Sequence, residues 1–219
     1  MKSWIVSLAV AALAAPLCSV GGYSLWWALL LGYLPSYFDG AQLTGARAWP
    51  ELQQCTALWQ PFVTALIRGP VKVVFETQLD PQRQSIIAAA PHGILSLNHS
   101  LYFTDAGGFL THFPHPRRDL GASVIFRIPM FRELLLWAGC VDASKATARK
   151  MLQSGKSLFI YPGGEKEQML TRHQQQRAYI GTRKGYARLA VEHGVDVIPA
   201  YCFGETDLYK VWLPLERLR

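Results

Sequence analysis

The sequence predicts an α/β domain with a mostly parallel sheet and helices layered against it, preceded by an N-terminal hydrophobic helical hairpin. Short runs rich in β-branched residues alternate with stretches of helical period from Val71 onward, the pattern of strands joined by helical crossovers. From Ser3 to Phe38 there is no Asp, Glu, Lys, Arg or His, so the first part of the chain seeks lipid and the remainder is ordinary globular sequence. At 219 residues there is room for one α/β domain beside such a segment, and the division falls at 1–40 and 41–219.

The N-terminal segment imitates a secretory signal peptide, with Lys2 before an apolar run and small residues after Pro16. Cleavage there would expose the greasy stretch from Leu25 to Leu31, so a retained anchor is the better reading. One helix over residues 4–34 would measure roughly 45 Å, too long for a hydrocarbon core of about 30 Å without strong tilt, and two full spans would be too short. Pro16 and Gly21-Gly22 supply a bend, which favours a hairpin with Trp26, Trp27, Tyr33 and Tyr37 near the interface and both ends on one face.

Residues 51–68 follow, with Leu52, Cys55, Leu58, Trp59, Phe62, Ala65 and Leu66 near helical spacing and an interruption expected at Pro61. Residues 71–76 and 85–90 read as strands separated by the turn at Asp80-Pro81, and residues 122–126, 157–161 and 196–203 as further strands. Helices are predicted over 129–138, over 145–153 with Ser144 as N-cap, and over 182–193 closed by Gly194.

Hydrophobic residues make up 50% of the chain and charged ones 17%, which points to a membrane surface. The formal charge of +7, from 22 basic and 15 acidic residues, suits anionic lipid or a phosphorylated small molecule. Nucleic acid is disfavoured, because no basic stripe is interleaved with aromatics. Cys18, Cys55, Cys140 and Cys202 are widely spaced, without a Cys-x-x-Cys pair or clustered histidines, so neither a zinc site nor a disulfide framework is indicated.

Three blocks could carry chemistry. Pro91-His92-Gly93 leaves a strand directly, where open α/β sheets bind ligands, although a histidine satisfied at a strand end is the bland alternative. Residues 161–167, with Gly163, Gly164 and Glu167, leave another strand, and the glycines let backbone approach a ligand. Arg183 and Lys184 fall in the first turn of the predicted 182–193 helix, where cations oppose the macrodipole and a bound phosphate would offset the conflict; a solvated helix end fits them as well. His99, His112, His115, His173 and His193 have no comparable context and are read as structural.

Taken in series with Phe113-Pro114, residues 127–133, Gly139-Cys140-Val141, Arg183-Lys184-Gly185-Tyr186 and Phe203-Gly204-Glu205, these blocks resemble the type-2 diacylglycerol acyltransferase family, with its monoacylglycerol acyltransferase and wax synthase relatives. The likeness runs from about Ser85 to Lys210. It implies an acyltransferase-like domain in which His92 is the catalytic base and Glu167 the acidic residue of a Gly-Gly-x-x-Glu motif. Pro91, Gly93, Gly163, Gly164, Arg183 and Lys184 would bind substrate, with Gly163 and Gly164 as oxyanion donors and Arg183 and Lys184 holding donor phosphates. The implied reaction esterifies diacylglycerol with acyl-CoA to give triacylglycerol without an acyl-enzyme. Acyl-CoA is the co-substrate, and no other cofactor or metal is implied. Monoacylglycerol or wax-alcohol acyl transfer is an alternative, and a catalytically inactive lipid-associated protein is an alternative of another class.

Two departures stand out. Ala90 occupies a position where the family commonly has histidine, and a counterpart of its Tyr-Phe-Pro motif is missing. The family also continues beyond the Phe-Gly-Glu block, which implies a domain incomplete at its C-terminus. The His, four intervening residues and Asp that mark lysophospholipid acyltransferases are not met, since Leu97 stands at the Asp position, and no Gly-x-Ser-x-Gly elbow supports a serine hydrolase. The resemblance further implies the endoplasmic reticulum membrane or a lipid droplet, with the catalytic domain facing the cytosol. Membrane lipid is the expected partner, and homo-oligomerisation stays open.

Overall fold

The structure, a computed structural model, describes residues 22–67, 69, 72–99 and 105–210. The chain divides into two units, residues 1–41 and 42–219. In the first, α1 (Gly22–Tyr37) is an apolar helix of 16 residues with Pro35 in its last turn. Its length is about 24 Å at 1.5 Å per residue, and among the described residues no helix is long and apolar enough to cross a membrane. It occupies the position of the hairpin's second arm; the expected first arm and the bend at Pro16 and Gly21 lie outside the described residues.

The second unit holds a five-stranded, all-parallel sheet of β1 (Ser85–Ala90), β2 (Arg117–Gly121), β3 (Cys140–Asp142), β4 (Ser157–Ile160) and β5 (Asp196–Tyr201), in the order β3-β2-β4-β1-β5. Because side chains alternate across a strand, β1 sends Ile87 and Ala89 to one face with Phe159 and Ile86 to the other with Leu158. The first face is covered by Val63 of α3 (Thr56–Ile67) and Phe109 of α4 (Phe109–His112), the second by Met151 and Leu152 of α6 (Lys145–Gln153) and Leu189 and Ala190 of α8 (Gly185–His193). Ile86, Ile87, Leu158 and Phe159 are all at most 1% exposed, each burial contributing about 1.5–3 kcal/mol. The remaining helices are α2 (Pro50–Gln53), α5 (Phe131–Trp137) and α7 (Gly164–Leu170).

Several elements fall where the sequence puts them. Strand β1 and helix α6 have the expected bounds, the Ser144 hydroxyl accepts the Thr147 N–H, and Gly194 closes α8 in the left-handed conformation. Others differ. Residues 72–76 form no strand: both edges of β1 are already taken by β4 and β5, and Val73 and Phe75 pack on the core as irregular chain. Residues 123–127 form a 3-10 turn, and the strand lies one segment earlier in β2, whose Arg-Arg-Asp start conceals it. The chain turns because Phe126 folds inward at 5% exposure while Val124 points out at 61%. Helix α3 runs through Pro61, its axis held by buried Val63 and by the Trp59 indole N–H, which donates to the Leu52 carbonyl at 2.5 Å. Helix α8 starts at Gly185, so Arg183 and Lys184 precede it instead of forming its first turn; Lys184 is its N-cap, and the Arg183 N–H closes a turn on the Ile180 carbonyl.

Candidate active site

Parallel strands end on the same side of a sheet, and the neighbours β4, β1 and β5 therefore release three loops side by side. The β1 loop carries His92, the β4 loop carries Glu167 on α7, and the β5 loop carries Glu205. These three residues, far apart in sequence, meet there.

The His92 loop is gripped through its main chain from both sides. The buried Glu167 carboxylate accepts the His92 N–H at 2.5 Å through Oε1 and the Tyr179 N–H at 2.9 Å through Oε2. Gly163 makes room for it, since a Cβ there would lie 1.8 Å from Oε2. From the other side Glu205, also buried, accepts the Leu97 and Asn98 N–H groups at 3.0 and 2.9 Å. Gly93 has a φ of +66°, and a Cβ there would lie 2.4 Å from the Glu205 Cγ, so conformation and space both demand glycine.

The imidazole itself is half-buried, with its Nδ1 3.0 Å from the Gly93 carbonyl and the Ser96 hydroxyl 3.1 Å from each ring nitrogen. A carbonyl can only accept, so the Gly93 contact places the proton on Nδ1 and leaves the Nε2 lone pair as the basic site. Burial lowers the His92 pKa, outweighing the Gly93 bond and the Glu167 charge that favour the cation. Burial also raises Glu205 to about 7 against the opposing Asn98 and Leu97 hydrogen bonds.

The His92 ring meets Tyr161 edge-on with centroids 5.0 Å apart, and the Tyr161 hydroxyl donates to Asn98 Oδ1. On the other side of Tyr161 lies His99, stacked on Phe159 at 4.7 Å, with Nε2 3.1 Å from Asp119 Oδ2. Arg117 donates to Asp119 at 2.6 Å. Burial would raise the Asp119 carboxyl, but the Arg117 charge and the His99 bond prevail and hold it below its ordinary range.

The expected residues are thus partly assembled. His92, Gly93, Gly163 and Glu167 converge, with Glu167 on the backbone of His92 and not on its ring. Pro91 is buried. The Gly164 N–H donates to the Tyr161 carbonyl, so it is committed to the turn. Arg183 and Lys184 are exposed, and the Arg183 guanidinium lies 5.9 Å from the ring of Tyr179, whose N–H reaches Glu167. His99, Asp119, Tyr161 and Asn98 are not legible in the sequence, because they meet only through the β2-β4 register; Glu205 carries a signal only as the acid of the Phe-Gly-Glu block.

Fold and site together define an α/β protein with a histidine-centred site at the carboxyl edge of a parallel sheet. The profile of the family Diacylglycerol acyltransferase matches residues 23–218, and the chain belongs to that family. It is 30% identical to diacylglycerol O-acyltransferase 2B of Umbelopsis ramanniana over 190 residues, 85% of this chain and 53% of that protein. It is 28% identical to diacylglycerol O-acyltransferase 2 of Dictyostelium discoideum, covering 93% of this chain and 64% of that one, and 34% identical to mouse diacylglycerol O-acyltransferase 2-like protein 6, covering 78% and 49%. The chain therefore spans roughly half to two thirds of the length of these relatives. No solved structure matches it.

Proposed function

We propose that this chain transfers the acyl group of acyl-CoA to the free hydroxyl of diacylglycerol, forming triacylglycerol at the cytosolic face of the endoplasmic reticulum membrane or on a lipid droplet, with His92 as general base. The observation that supports this most is the placement of His92: an imidazole with Nδ1 on the Gly93 carbonyl and Nε2 beside the Ser96 hydroxyl, at the carboxyl edge of the sheet, on a loop held through its main chain from both sides. The relatives' names, diacylglycerol O-acyltransferase and, for a human protein 31% identical over 147 residues, 2-acylglycerol O-acyltransferase 3, support the reaction class and leave the mono- or diacylglycerol acceptor as the finer choice.

An aliphatic alcohol does not ionise at neutral pH, so its proton must leave as its oxygen attacks. His92 Nε2 takes that proton while the alcohol oxygen bonds to the thioester carbonyl carbon. Collapse of the tetrahedral species breaks the carbon–sulfur bond, and the imidazolium returns the proton to the departing CoA sulfur, leaving ester and thiol. No acyl-enzyme forms. Glu167 and Glu205 act as positioning residues through the backbone of the loop. Arg183 and Lys184 hold the donor phosphates, and the Gly163 N–H faces the developing oxyanion.

Membranes carrying the full chain, given radiolabelled acyl-CoA with diacylglycerol, monoacylglycerol or a long-chain alcohol, test this reading. Label in triacylglycerol is expected from the diacylglycerol reaction, with no label bound covalently to protein. Label in wax ester alone, or on the protein, would contradict it.

A further inference from the structure

The segments that surround His92 share a second property. Every strand is parallel, so the chain leaving β1, β2, β4 and β5 emerges at the same end of the second unit, and the helices that return from it, α5, α6 and α8, begin there. Three of these four outgoing segments present a large, mostly exposed apolar side chain to solvent: Leu95 after β1 is 59% exposed, Val124 and Met130 after β2 are 61% and 77% exposed, and Phe203 after β5 is 87% exposed. Burying such groups is favourable, and monomeric proteins seldom cluster them at one end without a partner.

The charge at this end is predominantly positive. Exposed Arg127, Lys145, Lys166, Arg177, Arg183 and Lys184 lie in the same segments, against exposed Glu165 and Asp207. The loop bearing Arg177 and Arg183 is tied there by Gln174 N–H to the Thr206 carbonyl and by Tyr179 N–H to Glu167. Glu167 and Glu205 are buried, with their carboxyl oxygens turned inward onto backbone N–H groups of the His92 loop. Apolar side chains among cations are complementary to a surface with a hydrocarbon interior and anionic head groups.

We infer that this end of the second unit is a docking face for an anionic phospholipid surface, with Val124, Met130 and Phe203 entering the head-group boundary and the cations holding its phosphates. His92 then opens toward the lipid, and an acceptor reaches it without crossing water. This rests on the acyltransferase reading for its purpose, but the contact exists or fails without turnover. It is distinct from anchorage by the N-terminal segment, because it orients the sheet with its carboxyl edge to the bilayer.

The test uses the full chain with Cys18→Ser and Cys55→Ser and one reporter cysteine, Met130→Cys, Phe203→Cys or Gln153→Cys, the last exposed at the opposite end of α6. Each variant carries an environment-sensitive fluorophore and is mixed with phosphatidylcholine/phosphatidylserine vesicles containing a spin-labelled quencher lipid. Loss of emission is expected at positions 130 and 203 and none at 153, weakening in high salt and with phosphatidylcholine alone. Equal quenching at all three positions, or none, would overturn the inference. So would shielding of 130 and 203 before vesicles are added, since the occupant would then be the chain's own apolar segment or a second copy.

Discussion

At His92 the local chemistry makes a definite pH prediction. Burial disfavours the imidazolium, so the neutral base survives to lower pH than an exposed histidine with its ordinary value of 6.5. The acid limb of the rate against pH should therefore fall below 6.5, measured as initial acyl transfer in buffers of constant ionic strength; a limb above 6.5 would mean another group controls it. Glu205 is the neighbour to separate from it. In the fold its carboxyl stays protonated until about 7, against 4.5 when solvated. Its contribution to stability is fully present below 4.5 and is lost as the pH rises through 7, on the order of 3 kcal/mol from a shift of this size at 1.36 kcal/mol per unit. Glu205→Gln should flatten the dependence of the urea midpoint on pH over that window while leaving the acid limb of activity in place.

At the level of elements, glycines show how closely the loops fit. Gly93→Ala would bring a Cβ within 2.4 Å of the Glu205 side chain at a left-handed φ, and a loss of about 1–3 kcal/mol is expected in chemical denaturation. At the Ser144 cap, Ser144→Ala should cost about 1 kcal/mol without changing turnover, because α6 touches the sheet on the face away from His92.

What the sequence reveals follows the same division. Strand β1, helix α6 and the left-handed close of α8 were legible because each rests on local signals: a β-branched run, a cap hydroxyl, a glycine after the last turn. Strand β2 was hidden because Arg117 and Asp119 form a buried hydrogen-bonded cluster with His99, a requirement of the sheet and not of the segment. The histidine and the Gly-Gly-x-x-Glu acid could be found as motifs; that Glu167 grips the main chain of His92 could not, since it depends on β1 and β4 being neighbours.

On the scale of the whole molecule, one topological fact organises the site. Strands β4, β1 and β5 are adjacent and parallel, so three loops far apart in sequence meet around one imidazole, and the exposed apolar and basic residues meet there too. A mostly parallel sheet with helical layers was predicted from alternation alone, and the structure makes every strand parallel; the strand order was not predicted, because crossovers leave no periodic trace.

The central claim is that His92 is the base. The most direct measurement is acyl transfer from labelled acyl-CoA to diacylglycerol by membranes bearing equal amounts of folded wild type and His92→Ala. Loss of about 10²–10⁴ in rate, with unchanged thermal unfolding, is the predicted result; transfer at the wild-type rate would contradict it.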